Sequence, residues 1–349
     1  MIDINEVIEE ASAKEASDIH IVYGTPIRIR VDGQLQNLND HPLTDGDCIS
    51  VAEQLAGNEF DKIRDIGELD LSGTYAGRRI RMNLFHQQSH VSAALRLLAT
   101  SIPRLETLGL PEAVNEFASY QKGIVLVTGE TGSGKSTTLA SLINQINHTR
   151  NEHIITLEDP VEYVYHSDKC LINQREIGTD TRSYADGLRA ILREDPDVIL
   201  IGEMRDAETI DTALTAAETG HLVFATLHTN SAVDSVDRIV AAFPEARQAQ
   251  IRLQLSTTLK ATLSQQLLPR ASGHGRVAAC ECMINTPAIA NLIREGKTPQ
   301  MQSIMLTNSQ YGSLTMDNCL LKLVMNGAIT RKTALASAAD PQFLKKRMM

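Results

Sequence analysis

The sequence predicts an α/β fold that follows a small α+β domain, and three observations support this prediction. In the second part of the chain, four nearly continuous apolar runs alternate with helical patterns: residues 123–129, 153–159, 197–203 and 221–228. Such runs are typical of parallel strands that are buried on both faces of a sheet. The first hundred residues instead alternate between apolar and polar positions, and residues 101–112 contain two prolines and a glycine without any period. We therefore expect two domains, 1–100 and 113–349, joined by a linker at 101–112.

The composition is that of an ordinary globular protein, and it narrows the functional classes. The chain has 349 residues, of which 42% are hydrophobic and 22% are charged. Its net charge of -10 argues against a nucleic-acid ligand, because nonspecific binders of DNA and RNA need a basic surface. No signal peptide or membrane-spanning run is apparent, so we expect a cytoplasmic protein without direct membrane insertion. The five cysteines contain no CxxC pair, which favours reduced structural thiols.

The first domain begins with a short amphipathic helix at residues 5–16, and alternating strands follow from Asp18 onward. An Asp32-Gly33 pair predicts the tight turn of a hairpin. Further alternating segments between residues 69 and 97 place arginines opposite the apolar positions. These arginines are Arg79, Arg81 and Arg96. The pattern predicts a small sheet with one arginine-rich face.

The residues that follow the first apolar run of the second part fit the pattern G-x-x-x-x-G-K-[ST]. The run predicts a strand before the motif, and the residues after it predict a helix, which is the context that a phosphate-binding P-loop requires. Backbone N–H groups of such a loop surround phosphate oxygens, while Lys135 reaches the β- and γ-phosphates and Ser136 ligates Mg²⁺. The predicted nucleotide-binding residues are Gly129, Glu130, Thr131, Gly132, Ser133, Gly134, Lys135, Ser136 and Thr137.

Acidic residues follow two other predicted strands of the sheet. Glu203 comes directly after the run that contains residues 198–201, where its carboxylate can orient or deprotonate an attacking water. Glu158, Asp159 and Glu162 follow the second run. Because ligands of open α/β sheets bind at the carboxyl ends of the strands, we expect these acids to face one crevice. Glu203, through water, and Glu158 and Asp159 are therefore candidate Mg²⁺ ligands together with Ser136.

Two histidines bracket the fourth apolar run, His221 before it and His228 after it. Their odd separation places them on opposite faces of a regular strand, so they do not form a metal pair. His228, at the carboxyl end beside Thr226, is interpreted as a sensor of the γ-phosphate. For His221 we expect a packing or capping role.

Four segments taken together resemble the secretion and pilus ATPase superfamily, and within it the type IV pilus retraction ATPases of the PilT family. GETGSGKSTT resembles the Walker A box, ITLEDPVEYV the acidic box, LREDPDVILIGEMRD the Walker B region and TGHLVFATLHTNSA the histidine box. Residues 288–295 resemble the AIRNLIRE motif of retraction motors, except that Ala290 replaces an arginine. Two further departures are Glu130, where the family commonly has proline, and Ser89, where an arginine is frequent.

The resemblance implies a PAS-like first domain and a RecA-like P-loop NTPase domain that ends in a helical region from about residue 285. It implies a homohexamer that hydrolyses ATP with Mg²⁺ to power pilus retraction and twitching motility. The catalytic residues would be Glu203, Glu162 and His228, and Arg81 or Arg96 would complete a site as an arginine finger. The implied partners are an inner-membrane platform protein, which would hold the ring peripherally at that membrane, and a second retraction ATPase.

The helix that resembles the retraction motif has an apolar stripe at Ile289, Leu292 and Ile293, which predicts core contacts. For Leu292→Ala we expect a loss of about 2 to 5 kcal/mol in stability. Asn291 and Arg294 lie off the stripe, and we expect this polar side to transmit movement to the pilus machinery.

Several other functions remain open at this point. A secretion-system ATPase would share every box except the retraction-like helix. A pilus extension motor resembles longer chains with a tetracysteine zinc motif, which this sequence lacks. A nucleotide-binding adaptor without catalysis would not retain Glu203, Glu162 and His228, and a DNA translocase is opposed by the net charge. Whether Glu203 or Glu162 is the general base is also open.

Overall fold

The computed structural model describes residues 2–348, apart from the side chain of Arg64, and these residues form two compact units. The first unit comprises the chain up to Ser101 together with Pro160–Val164. The second unit comprises Ile102–Asp159 and the chain from Tyr165 onward. The five residues Pro160–Val164 thus belong to the first unit although they lie far from it in sequence.

The first unit is built on a six-stranded antiparallel sheet with the strand order β3-β2-β1-β6-β5-β4. Its strands are β1 Asp18–Ile21, β2 Arg28–Val31, β3 Gln34–Asn37, β4 Glu68–Tyr75, β5 Arg78–Gln87 and β6 His90–Leu97. Its helices are α1 Ile4–Ala13, α2 Asp45–Ala56 and α3 Phe60–Ile66. The predicted hairpin turn is confirmed, since Asp32 and Gly33 join β2 to β3 with left-handed φ angles of 48° and 80°.

One face of this sheet is apolar and lies in the core of the unit. Ile19, Ile29, Ile80 and Leu95 are at most 1% exposed, and they share a core with residues of α1 and α2. Successive strands place Arg81, Arg96, Asp18 and Arg30 beside one another in a row across the sheet. The predicted arginine-rich face is therefore confirmed.

The second unit contains a seven-stranded sheet with the order β13-β12-β7-β11-β10-β8-β9. Its strands are β7 Gly123–Thr128, β8 His153–Glu158, β9 Leu171–Glu176, β10 Val198–Ile201, β11 Leu222–Leu227, β12 Leu259–Pro269 and β13 Arg276–Ile284. All neighbours pair in parallel except β13, which is antiparallel to β12. The four predicted apolar runs are the parallel strands β7, β8, β10 and β11. The predicted α/β fold with a small preceding α+β domain is confirmed.

Helices follow most of these strands and continue to the end of the chain. They are α4 Lys135–Thr149, α5 Tyr184–Ile191, α6 Ala207–Glu218, α7 Ala232–Ala241, α8 Glu245–Thr258, α9 Pro287–Glu295, α10 Met301–Thr307, α11 Met316–Met325, α12 Arg331–Ser337 and α13 Pro341–Arg347. The last five form the helical C-terminal region. None of the helices within residues 2–348 is both long and apolar enough to cross a membrane.

The segment predicted as a linker is partly ordered against the second unit. Residues Leu105–Leu108 form a short 3-10 helix in which Leu105 is 4% exposed. The hydroxyl of Ser141 on α4 donates a hydrogen bond to the carbonyl of Pro103 at 2.8 Å. The two prolines interrupt any regular spacing of apolar residues in this segment, so the sequence pattern does not indicate these contacts.

Helix α9 begins with the Thr286 side chain as N-cap and Pro287 in the first turn. Of its apolar stripe, Ile289 and Ile293 are 0% exposed, whereas Leu292 is only partly buried. The predicted core contacts are therefore confirmed, and Leu292 packs at the edge of the same core, where it stays partly exposed.

We expect Ile293→Ala to lower the free energy of unfolding by about 2 to 5 kcal/mol, because it leaves a cavity in a closed core. Leu292→Ala removes a side chain that solvent already reaches, so its loss should be smaller. Urea unfolding followed by circular dichroism measures both. Equal losses for the two variants would contradict the burial difference.

Candidate nucleotide-binding site

The P-loop lies between β7 and α4, where the motif places it. Gly129 has a φ of +138°, and a Cβ atom there would lie 2.3 Å from the carbonyl oxygen of Gln265. Only glycine fits both the backbone angle and this close approach to β12. Gly132 and Gly134 also have positive φ angles, of 81° and 95°. Lys135 and Ser136 then open α4, so the N-terminal end of the helix faces the loop.

Lys135 folds back over its own loop. Its ammonium group donates hydrogen bonds to the carbonyl oxygens of Gly129 at 2.7 Å and Glu130 at 3.0 Å. The hydroxyl of Ser133 is buried within the loop and has no hydrogen-bond partner in the described part of the chain. The loop thus holds a cation and a buried polar atom at the place where the motif predicts phosphate oxygens.

A cavity of about 490 Å³ opens beside the P-loop, toward the end of β12. Its lining residues are Glu130, Thr131, Gly132, Ser133, Asn230, Gln265, Gln266, Leu267, Leu268, Arg276, Ala336, Ser337 and Ala338. Gln265 is 2% exposed and donates a hydrogen bond to the Thr138 hydroxyl at 3.0 Å, while its Oε1 atom has no partner among the described residues. The cavity is therefore polar at its buried end.

Glu203 and His228, which are distant in sequence, meet at the carboxyl ends of β10 and β11. Nε2 of His228 lies 3.0 Å from Oε1 of Glu203. The Arg205 guanidinium donates a hydrogen bond to Oε2 of the same carboxylate at 2.7 Å. This hydrogen bond, together with the charge of Glu203, raises the pKa of Arg205. The side chain of Glu203 is only 17% exposed, and each of its two oxygens contacts one of these partners.

The sequence analysis assigned no role to Arg205. Its proximity to Glu203 in the chain is the signal that could have suggested one. An arginine in the loop after a strand is usually a solvated surface group, however, and this side chain is indeed 71% exposed. Asp206 next to it caps α6 by accepting from the backbone N–H of Thr209.

Tyr184 is a second residue that sequence reasoning missed. A Cβ atom on Gly202 would lie 2.9 Å from the Tyr184 hydroxyl, so the ring extends to the end of β10. Burial, followed by the charges of Asp159, Glu203 and Glu158, raises the pKa of Tyr184. A tyrosine at the start of a helix reads as an ordinary core residue, and only the folded chain brings it among three carboxylates.

The acids at the end of β8 differ in their surroundings. Glu158 accepts hydrogen bonds from the Thr156 hydroxyl at 2.7 Å and from the Gln174 amide at 3.2 Å. Asp159 is exposed. Within residues 2–348, no three His, Cys, Asp or Glu side chains converge as a metal site by themselves. The exposed hydroxyl of Ser136 and the oxygens of Glu158 and Asp159 are donors of the hard type that Mg²⁺ prefers.

A hydrogen bond connects the loop after β11 to the P-loop. The amide of Asn230 donates a hydrogen bond to Oε1 of Glu130 at 3.3 Å. His221, at the other end of β11, lies with Nδ1 2.9 Å from the carbonyl oxygen of Ala216 in α6. This contact caps the end of α6, which is the role expected for His221. His228 instead lies at the carboxyl end of β11, beside Glu203.

The remaining predicted site residues belong to the first unit. Glu162 lies half-buried within Pro160–Val164. Arg96 pairs with Oδ1 of Asp18 at 3.0 Å, whereas Arg81 is exposed and makes no hydrogen bond or ion pair with the residues described. Arg79 donates to the Ser72 hydroxyl at 2.7 Å and to the Val161 carbonyl at 3.3 Å. Of the three arginines predicted on this face, Arg81 is thus the least engaged within the unit.

Comparisons with known proteins place this chain among pilus and secretion ATPases. A family model described as type II/IV secretion system protein matches residues 1–331. The chain is 45% identical over 343 residues to the type IV pilus retractation ATPase PilT of Pseudomonas aeruginosa, which covers 98% of this chain and 99% of that protein. It is 39% identical over 336 residues to the type IV pilus ATPase PilU of the same organism, covering 95% of this chain and 87% of that one.

Solved structures give the same result. The crystal structure of the pilus retraction motor PilT with bound ADP aligns with a TM-score of 0.93 at 47% identity, covering 99% of this chain and 100% of that chain. The ATPase DotB of Legionella pneumophila aligns with a TM-score of 0.82 at 29% identity, covering 96% and 95%. The resemblance to the pilus retraction ATPases that the four boxes indicate is confirmed, and the chain belongs to the type II/IV secretion system protein family.

Proposed function

We propose that this protein is an ATP-hydrolysing motor that works as a homohexamer and powers the retraction of a type IV pilus. The observation that supports this most strongly is the geometry of one site. The P-loop with Lys135 follows β7, and Glu203 and His228 follow β10 and β11 of the same sheet. The carboxylate of Glu203 lies 3.0 Å from the ring of His228. The chain also aligns over nearly its whole length with a pilus retraction motor.

ATP binding at the P-loop exchanges one set of contacts for another. The hydrogen bonds of Lys135 to the carbonyls of Gly129 and Glu130 give way to bonds with the β- and γ-phosphates. The backbone N–H groups of the loop and the N-terminal end of α4 supply the remaining positive potential. Mg²⁺, held by Ser136 and water, would supply charge neutralisation at the phosphates.

Glu203 orients the attacking water and accepts its proton, since it is the half-buried carboxylate at the end of β10. Its two partners, Arg205 and His228, fix the direction of its oxygens. His228 is 44% exposed, so its ring can also contact the γ-phosphate. Glu162 is the alternative base, and Glu158 and Asp159 would act on water bound to Mg²⁺.

Arg81 completes the site as a finger from the first unit, because its guanidinium has no competing partner within the residues described. Arg96 is the alternative, although its bond to Asp18 must then be released. The segment at 101–112 connects the 1–100 domain to the 113–349 domain, and its residues Pro103 and Leu105–Leu108 already contact α4 of the second unit. The hexamer would act in the cytoplasm on a platform protein of the inner membrane, together with a second retraction ATPase.

Deleting the gene tests the proposal directly. We expect cells that keep or accumulate surface pili while retraction, measured by labelled-pilus microscopy, is lost. If pili disappear instead, the protein is an extension motor. If pili are unchanged and secretion fails, the secretion-system alternative is correct.

The exposed Arg294 on α9 separates motor output from chemistry. In the described part of the chain it forms no hydrogen bond or ion pair, so its loss should not disturb the fold. We expect Arg294→Ala to keep ATP hydrolysis within about threefold of the wild type while abolishing retraction. Arg331→Ala, which removes an exposed arginine at the start of α12, is the matched control and should retract normally. A strain with Arg294→Ala that retracts pili would remove the special role of α9.

A further inference from the structure

Glu281 is a buried carboxylate that the proposed reaction does not use. It lies in the middle of β13, between Cys280 and Cys282, and is 2% exposed. A buried ionisable group costs free energy unless it is well paired, so the partners of Glu281 must offset the cost of its burial.

Its two oxygens join the first residues of two helices. Oε1 accepts a hydrogen bond from the backbone N–H of Ala232, the first residue of α7, at 2.8 Å. Oε2 accepts from the backbone N–H of Met316, the first residue of α11, at 3.4 Å. The positive ends of both helix dipoles therefore face one carboxyl group and favour its charged form, although burial, with the nearby carboxylates of Asp234 and Asp317, raises its pKa overall.

The helix α7 starts directly after the loop that carries His228. That loop ends at Ser231, which caps α7 by accepting from Asp234, and its Thr229 hydroxyl lies 2.7 Å from the Ser235 hydroxyl. Asn230 in the same loop reaches Glu130 of the P-loop. Glu281 thus contacts the far end of a segment whose other residues contact Glu203 and the P-loop.

We propose that Glu281 is a positioning residue, which fixes the loop of residues 228–231 relative to the C-terminal helices α11–α13 and so orients His228 toward Glu203. This inference rests on the function proposed above for the nucleotide site. It also gives the C-terminal region a defined connection to that site, through one carboxylate and two backbone N–H groups.

Glu281→Gln tests the inference because it keeps the shape, removes the charge and leaves one acceptor oxygen for two N–H groups, so one of the two helix contacts is lost. Asp340→Asn is the control, since Asp340 also accepts two backbone N–H bonds at a helix start, from Gln342 at 3.0 Å and Phe343 at 2.9 Å. Hydrogen–deuterium exchange of the nucleotide-free protein reports the loop directly. We expect faster exchange of a peptide spanning 229–236 in Glu281→Gln and no change there in Asp340→Asn.

Kinetics then tests whether the loop acts through His228. We expect Glu281→Gln to lower kcat by about tenfold with KM within about threefold, while Asp340→Asn keeps kcat. In a His228→Asn background, Glu281→Gln should lower kcat by less than about twofold, because two residues that act through one contact are not additive. If Glu281→Gln does not fold, Glu281→Met, which fills a similar volume without polar atoms, takes its place.

Unchanged exchange in residues 229–236, or a full additional loss of kcat in the His228→Asn background, would overturn the inference. These results are separate from a failure of the proposed function. A wild-type protein that does not hydrolyse ATP would refute the motor proposal, whereas the exchange measurement would still decide whether Glu281 holds the loop.

Discussion

Lys135→Ala is expected to abolish ATP hydrolysis and to weaken ATP binding. The variant removes the ammonium group that lies over the P-loop, within 2.7 Å of the Gly129 carbonyl, and leaves the backbone N–H groups alone to face three or four negative charges. Loss of one preorganised charge donor at a transferring phosphoryl group lowers kcat by about 100-fold or more. Phosphate release measures turnover, and a fluorescent ATP analogue measures binding.

Lys122→Ala is the matched control for this experiment. Lys122 is an exposed lysine at the opposite end of β7, so its removal changes the net charge equally without touching the loop. We expect wild-type activity from it. Turnover of Lys135→Ala within about tenfold of the wild type would reject the P-loop assignment.

Glu203→Gln is expected to bind ATP normally and to hydrolyse it at least about 100-fold more slowly. The amide keeps the size of the side chain and can still accept from Arg205, but it cannot take a proton from water. Binding and turnover should therefore separate in this variant, whereas they fall together in Lys135→Ala. Glu194→Gln, at an exposed carboxylate paired with Arg175, serves as the control.

Glu162→Gln decides between the two candidate bases. We expect it to retain more activity than Glu203→Gln, because Glu203 is the carboxylate that His228 and Arg205 hold in place. An inactive Glu162→Gln together with an active Glu203→Gln would exchange the two roles.

The parts of the site that the sequence could predict are those that a short segment determines alone. The P-loop is one such part, because its glycines, lysine and flanking strand and helix all lie within residues 123–149. The strand ends that carry Glu203 and His228 are another, since apolar runs identify buried parallel strands and the fold rule brings their carboxyl ends together.

The parts that escaped prediction depend on contacts between remote segments. Tyr184 reaches Gly202 only after α5 packs against β8 and α6, and no local pattern distinguishes it from a core tyrosine. Glu281 is one acidic residue in an apolar strand, and its helix partners lie 49 and 35 residues away. Leu292 has the spacing of a core residue and packs against the core, yet solvent still reaches part of it.

The division of the chain into units has a consequence for how such proteins can be recombined. Pro160–Val164 belong to the first unit, so the boundary between the units is crossed three times along the chain rather than once. In a simple chimera, only the chain up to Ser101 is taken from a relative. The sheet of that relative would then meet the native segment Pro160–Val164, with which it did not evolve. The contact of Arg79 with the Val161 carbonyl is one of the interactions at stake. The unit that can be exchanged therefore consists of two separate pieces, the chain up to Ser101 and Pro160–Val164. We expect substitutions in these two pieces to be inherited together.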